Sequence, residues 1–170
     1  MKIRAVAHRM EHALNVALIT IRSAMKQDEA AIHRLVRAER LNPADLDWRR
    51  FVVAAYEAAV IGTVQLRCHG DGSREVGSLV VRQDARRRGI ASRLIDALLE
   101  RARGRVFMIT GAPFAAHYAR FGFRPIQALD APRHILRNYA LGQLFGGFLS
   151  LLCGRSPRRL VILDRRMPPH

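Results

Sequence analysis

Apolar and polar positions along this chain switch between helical and strand spacing, and the switches mark its elements. Between Gln83 and Arg103, Ile90, Leu94, Ile95, Leu98 and Leu99 recur at helical spacing while Arg93, Asp96, Glu100, Arg101 and Arg103 fall elsewhere, which predicts an amphipathic helix. Glu75–Val81 just upstream is an apolar, β-branched run and predicts a buried strand. Earlier still, Ala17–Ala24 predicts a first strand. Asp28 then caps a helix whose Ala30, Ile32, Leu35 and Val36 share a face and which ends near Asn42-Pro43. Asp45–Arg50, carrying Trp48, predicts a short second helix. Phe51–Tyr56 and Val60–Arg67 predict two strands joined through Glu57-Ala58, and the turn residues Gly70-Asp71-Gly72-Ser73 lead into the Glu75–Arg82 strand. Downstream come a strand at Arg105–Thr110, a break at Gly111-Ala112-Pro113, a short helix over Phe114–Phe121, and strands at Phe123–Ala128 and Leu160–Leu163.

Length changes this picture little: 170 residues are one domain with room for a real core. Charge changes it more. Twenty-nine basic against 14 acidic side chains leave +15, a field that attracts phosphates, carboxylated substrates, nucleic acid or anionic lipid. No aromatic–basic interleaving of the kind that stacks bases occurs, which argues against nucleic acid. Cys68 and Cys153 form no CxxC or zinc spacing, and His8 and His12 have no partner ligands, so no metal and a reducing compartment, the cytoplasm, are expected. Met1–Met10 is basic, but no small-residue cleavage pattern follows it. Tyr139–Cys153 is uncharged but only about fifteen residues long, short of the roughly 20 that span a bilayer. Its basic flanks leave three readings open: a helix packed on the domain, a homodimer contact, or peripheral contact with an anionic membrane.

Candidate chemistry concentrates where the Glu75–Val81 strand meets the central helix. Three arginines and a glycine, Arg86-Arg87-Arg88-Gly89, precede that helix. Cations at a helix N-terminus are disfavoured by roughly 0.3–1 kcal/mol each, because unpaired N–H groups and the positive end of the dipole already sit there. An anion resolves the conflict, since N–H groups, dipole and guanidiniums then point at one phosphate cluster. A basic surface loop remains the plainer alternative. Neither G-x-x-x-x-G-K-S/T nor G-x-G-x-x-G occurs.

The stretch Arg86-Arg87-Arg88-Gly89-Ile90-Ala91 resembles the Q/R-x-x-G-x-G/A pyrophosphate loop of the GNAT superfamily of N-acetyltransferases. A second match, Tyr118-Ala119-Arg120-Phe121-Gly122-Phe123, is similar to the Y-x-x-x-G-F that closes the same family's domain, in the right order and about thirty residues on. The resemblance covers roughly residues 18–128. It implies an α/β fold: a mixed, mostly antiparallel sheet splayed between its fourth and fifth strands and flanked by about four helices. The expected organisation is an N-terminal extension over 1–16 and one domain over 17–165, with 131–159 an atypical basic and apolar insertion before the last strand.

The resemblance further implies that acetyl-CoA is the co-substrate. Its pantetheine would pair with the backbone of Leu79, Val80 and Val81, and its pyrophosphate would lie on Arg86, Arg87, Arg88, Gly89, Ile90 and Ala91, with Ser92 adding a hydrogen bond. Tyr118 would protonate the departing thiolate; its alternative role is packing beside Phe114, Phe121 and Phe123. Glu75 is the candidate base for an amine that is largely protonated near neutral pH. Counting by twos along the strand puts it on the same face as Gly77, Leu79 and Val81, and it could instead pair with Arg74 or Arg82. Many relatives carry an asparagine where this chain has Thr110-Gly111-Ala112-Pro113. The expected activity is acetyl transfer to a primary amine by direct attack in a ternary complex. A small amino-acid-like acceptor comes first, because His117–Phe123 is similar to the corresponding region of amino-acid N-acetyltransferases. A protein N-terminus or lysine comes next. A non-catalytic acyl-CoA sensor or an anionic-surface binding protein are the rivals from other classes.

Overall fold

A computed structural model describes residues 14–43, 45–152 and 159–167. His8, His12, Cys153 and most of the expected N-terminal extension lie outside the described residues. The elements are β1 (Ile19–Ser23), α1 (Glu29–Ala38), β2 (Phe51–Tyr56), β3 (Ala59–Cys68), β4 (Arg74–Val81), α2 (Ile90–Leu99), β5 (Arg105–Gly111), α3 (Ala115–Ala119), β6 (Arg124–Ile126), α4 (Arg133–Leu152) and β7 (Leu160–Arg166). The strands form one sheet in the order β1-β2-β3-β4-β5-β7-β6. Neighbours run antiparallel except β4 and β5, which are parallel and joined through α2 as a crossover.

Both faces of this sheet are covered. Ile32 and Val36 of α1, one turn apart, pack on Phe51, Val53 and Val60. Ile90, Leu94, Ile95 and Leu98 of α2 pack on Val52, Ala54 and Val64 from the other side. Two-sided burial explains why β2 reads as a continuous apolar run, buried from Phe51 to Ala55, rather than as an alternation.

Three expectations are revised. Asp45–Arg50 is not a helix: Asp45 takes a left-handed φ of 57°, and only Trp48–Arg50 forms a 3-10 turn, capped by the Asp47 side chain accepting from the Arg49 N–H at 3.1 Å. The Phe123–Ala128 strand shortens to β6, because Phe123 is drawn into the core and Ala128–Asp130 turns. β7 runs past Leu163 to Arg166, its Asp164 held by Arg105 of β5 at 2.6 Å. Much of the 131–159 stretch is α4, whose buried Ile135 packs on Phe107 and Ile162. Among the described residues no helix is long and apolar enough to cross a membrane.

The feature that positions the site is an interrupted pairing. β4 and β5 pair only at Arg74↔Val106, Glu75↔Phe107 and Val76↔Met108, although β4 continues to Val81 and β5 to Gly111. A bulge lies where they part. Thr63 faces Val80 and Gln65 faces Gly77, so Ser78 and Leu79 both stand opposite Val64. Ser78 holds φ 51° without being glycine. Its carbonyl accepts from Thr63 Oγ1 at 2.9 Å, and its hydroxyl meets Arg67 at 3.2 Å and Gln65 at 3.3 Å. Those bonds offset the steric cost of the conformation.

Candidate functional site

Where β4 and β5 separate, a cleft of about 420 Å³ opens between Gly77–Leu79 on one side and Met108–Thr110 on the other, with Tyr118 of α3 beside it. Burial pushes the Tyr118 hydroxyl above its ordinary pKa of 10, and a hydrogen bond with Thr110 acts in the opposite direction. Thr110 opens the stretch that stands where many relatives carry an asparagine; its place beside Tyr118 shows only once β5 leaves β4.

Leu79 also lines a second groove of about 470 Å³ and so borders both spaces. This groove runs past Val81, Arg86, Arg87 and Gly89–Ser92 to His117 and Arg120. Its wall is the start of α2. Gly89 stands there at φ 75°, a left-handed conformation that suits glycine, and no side chain caps the helix. The N–H groups of the first turn have no intrahelical acceptor. A Cβ built on Gly89 would meet no protein atom within 4 Å, so the backbone lies open to the groove.

The sequence-predicted residues divide. Leu79, Val81, Arg86, Arg87, Gly89, Ile90, Ala91 and Ser92 line the groove, and Tyr118 lines the cleft. Val80 is buried. Arg88 donates to the Leu14 carbonyl at 2.7 Å and thereby ties down the chain before β1. Arg86 pairs with Glu39 and donates to the Val81 carbonyl at 2.9 Å. Arg120 and His117, which reach the groove from α3, carry no motif signal that would have assigned them to it.

Glu75 is buried beside the cleft residue Val76, but period-two counting misplaces it. The bulge breaks the alternation after Gly77, so Glu75 does not share a face with Val81. Nor does it pair with Arg74 or Arg82. Its Oε2 meets His69 Nε2 at 2.9 Å and accepts from Asn138 of α4 at 2.8 Å, while its Oε1 faces Arg67 at 3.8 Å. The His69 ring stacks on His134, with centroids 5.5 Å apart, and His134 Nδ1 lies 3.0 Å from Asp71. Hydrogen bonds from Ser73, and then the contact with His134, hold the Asp71 carboxyl well below the usual carboxylate range. This chain of contacts ties the β3–β4 turn to α4. Glu75→Ala should therefore cost about 3 kcal/mol in denaturant unfolding, because Arg67, itself buried, loses its counter-charge. Glu75→Gln keeps the shape but also removes the charge, so it should lose nearly as much; a glutamine variant as stable as wild type would contradict the charge argument.

A sheet in this order, with its parallel pair splayed over a crossover helix, has the fold of the GNAT acetyltransferases. Residues 47–125 match the family model described as "Acetyltransferase (GNAT) domain". No curated protein matches it. Among solved structures, N-acetylglutamate synthase from Neisseria gonorrhoeae, complexed with coenzyme A and N-acetyl-glutamate, is similar at TM-score 0.68 and 18% identity, over 89% of this chain and 35% of that one. The chain thus spans about a third of that synthase's length. A Mycobacterium tuberculosis protein in complex with CoA is similar at TM-score 0.65 and 21% identity, covering 88% and 99% of the two chains. Ard1 from Thermoplasma volcanium is similar at TM-score 0.60 and 14% identity, covering 89% and 99%. At such identities the likeness is one of fold.

Proposed function

We propose that this protein transfers an acetyl group from acetyl-CoA to a primary amine, with a small amino-acid-like molecule as the first choice of acceptor. The observation that carries this reading is that Leu79 borders both spaces, the groove at the open N-terminus of α2 and the cleft lined by Tyr118. The residues present fit the coenzyme. Unpaired N–H groups and the positive charge of Arg87 and Arg120 face the groove where a diphosphate would lie, and the strand edges exposed by the splay offer backbone pairing to a pantetheine arm. When bound, acetyl-CoA supplies an acetyl group activated as a thioester.

The chain's own residues do the rest. The C–N bond forms as the amine attacks, the C–S bond breaks, and Tyr118 gives its proton to the departing sulfur. The raised pKa keeps that proton on Tyr118 until it is needed. The amine's proton leaves through water towards Glu75, the buried carboxylate whose chain neighbours Val76 and Gly77 line the cleft. The acceptor class is supported by the fold likeness to N-acetylglutamate synthase and by the His117–Phe123 stretch. Positive charge over the whole chain also favours an acceptor that bears a carboxylate and disfavours a polyamine.

The reading is tested by incubating the protein with acetyl-CoA and a panel of free amino acids, peptides, lysine-containing proteins and polyamines while following free thiol. Turnover with one or more free amino acids is expected. Thiol release with peptide N-termini alone would replace the acceptor, and none with any amine would remove the enzymatic reading.

A further inference from the structure

The charges around the groove single out a residue from the opposite wall. Arg86 is offset by Glu39, and Arg88 is turned towards Leu14. Two guanidiniums remain on the groove without a carboxylate among the described residues: Arg87 in the loop and Arg120 just after α3. Arg120 is held in place rather than trailing in solvent. Its guanidinium lies over the Phe121 ring, 4.7 Å from the centroid, and it donates to the Ser92 hydroxyl in the first turn of α2. A guanidinium partnered by a ring and one neutral hydroxyl keeps its full charge and most of its donors; an anion is the complement it lacks.

We propose that Arg120 closes the groove over the diphosphate of CoA and, by donating to Ser92 Oγ, leaves the Ser92 hydroxyl proton free to reach the same phosphates. The diphosphate then lies between two walls, backbone N–H groups and Arg87 on the α2 side and Arg120 on the α3 side. Because α3 also carries Tyr118, one short helix both grips the coenzyme and addresses its sulfur. This inference rests on the coenzyme reading above, and its test separates the two.

Binding of CoA and of dephospho-CoA, which lacks only the 3′-phosphate, is measured by titration calorimetry on the full chain and on Arg120→Gln and Arg120→Lys. Wild type should bind both. Arg120→Gln should raise both dissociation constants by the same factor, about tenfold, the usual scale for one charged hydrogen bond. Arg120→Lys, which keeps a charge on the same side chain stem, should recover part of the loss; a lysine variant as weak as the glutamine variant would count against a charge contact. A rise for CoA alone would move Arg120 to the 3′-phosphate and overturn the proposal. No rise for either ligand would overturn it while wild-type binding keeps the coenzyme reading. Wild type binding neither ligand would overturn both.

Discussion

Tyr118→Phe should lower kcat by about two to three orders of magnitude while leaving the dissociation constant for CoA within about twofold of wild type. The hydroxyl is asked to meet charge that develops only as the C–S bond breaks, and removing such a proton donor has that scale of effect. The ring itself packs on the core beside α2, so the fold is expected to hold, with a loss of about 1 kcal/mol for the hydrogen bond to Thr110. Steady-state kinetics with the best acceptor, paired with binding titrations, make the distinction. A variant with full kcat would leave Tyr118 as a packing aromatic. The pH profile carries the sign. Tyr118 must be protonated to act, and burial raises its pKa above 10, so its loss of a proton should not cut activity until above about pH 10. On the acid side, rates should rise with pH as the acceptor amine loses its own proton.

Gly89→Val should reduce CoA affinity by at least about a hundredfold and should do so without unfolding the domain. Two effects combine. A β-branched residue at φ 75° is strained by roughly 1–2 kcal/mol, and its Cβ would stand in open space with no protein atom beyond its chain neighbours within 4 Å. Gly89 lines the groove, so the added side chain would occupy the space proposed for the diphosphate. Gly89→Ala separates the terms: it carries most of the backbone strain with little bulk. An alanine variant should melt a few degrees lower and bind CoA at intermediate strength, whereas valine should melt at a similar temperature and bind far more weakly. Undiminished CoA binding by the valine variant would place the coenzyme elsewhere.

The strand–loop–helix unit from Glu75 to Leu99 was legible because its signals are local. Apolar spacing sets the strand and helix, and a glycine stands where the chain must take a left-handed turn. Tyr118 was legible for a similar reason, as part of a short motif. The hidden parts depend on partners far along the chain. Ser78 gives no hint of a bulge; pairing with β3 imposes it, and it alone shifts the face of everything after Gly77. Arg88 looks like its neighbours until the Leu14 carbonyl claims it, and Arg86 until Glu39 does. The partners of Glu75 come from the β3–β4 turn and from α4. α4 itself was obscured because its sequence is uncharged over its second half and contains the Gly146-Gly147 pair, which weakens helix propensity. Arg120 shows a related gap: an arginine in a motif's variable position says nothing of itself, and only the approach of α3 to Ser92 places it on the groove.

Whether the amino end of α2 holds a diphosphate is decided by a crystal structure of the protein grown with CoA. Phosphate oxygens are expected within hydrogen-bond distance of the backbone N–H groups that follow Gly89, with the pantetheine lying between β4 and β5 and its sulfur near the Tyr118 hydroxyl. Coenzyme bound at another surface, or a Gly89 corner closed by the protein's own carboxylates, would contradict it.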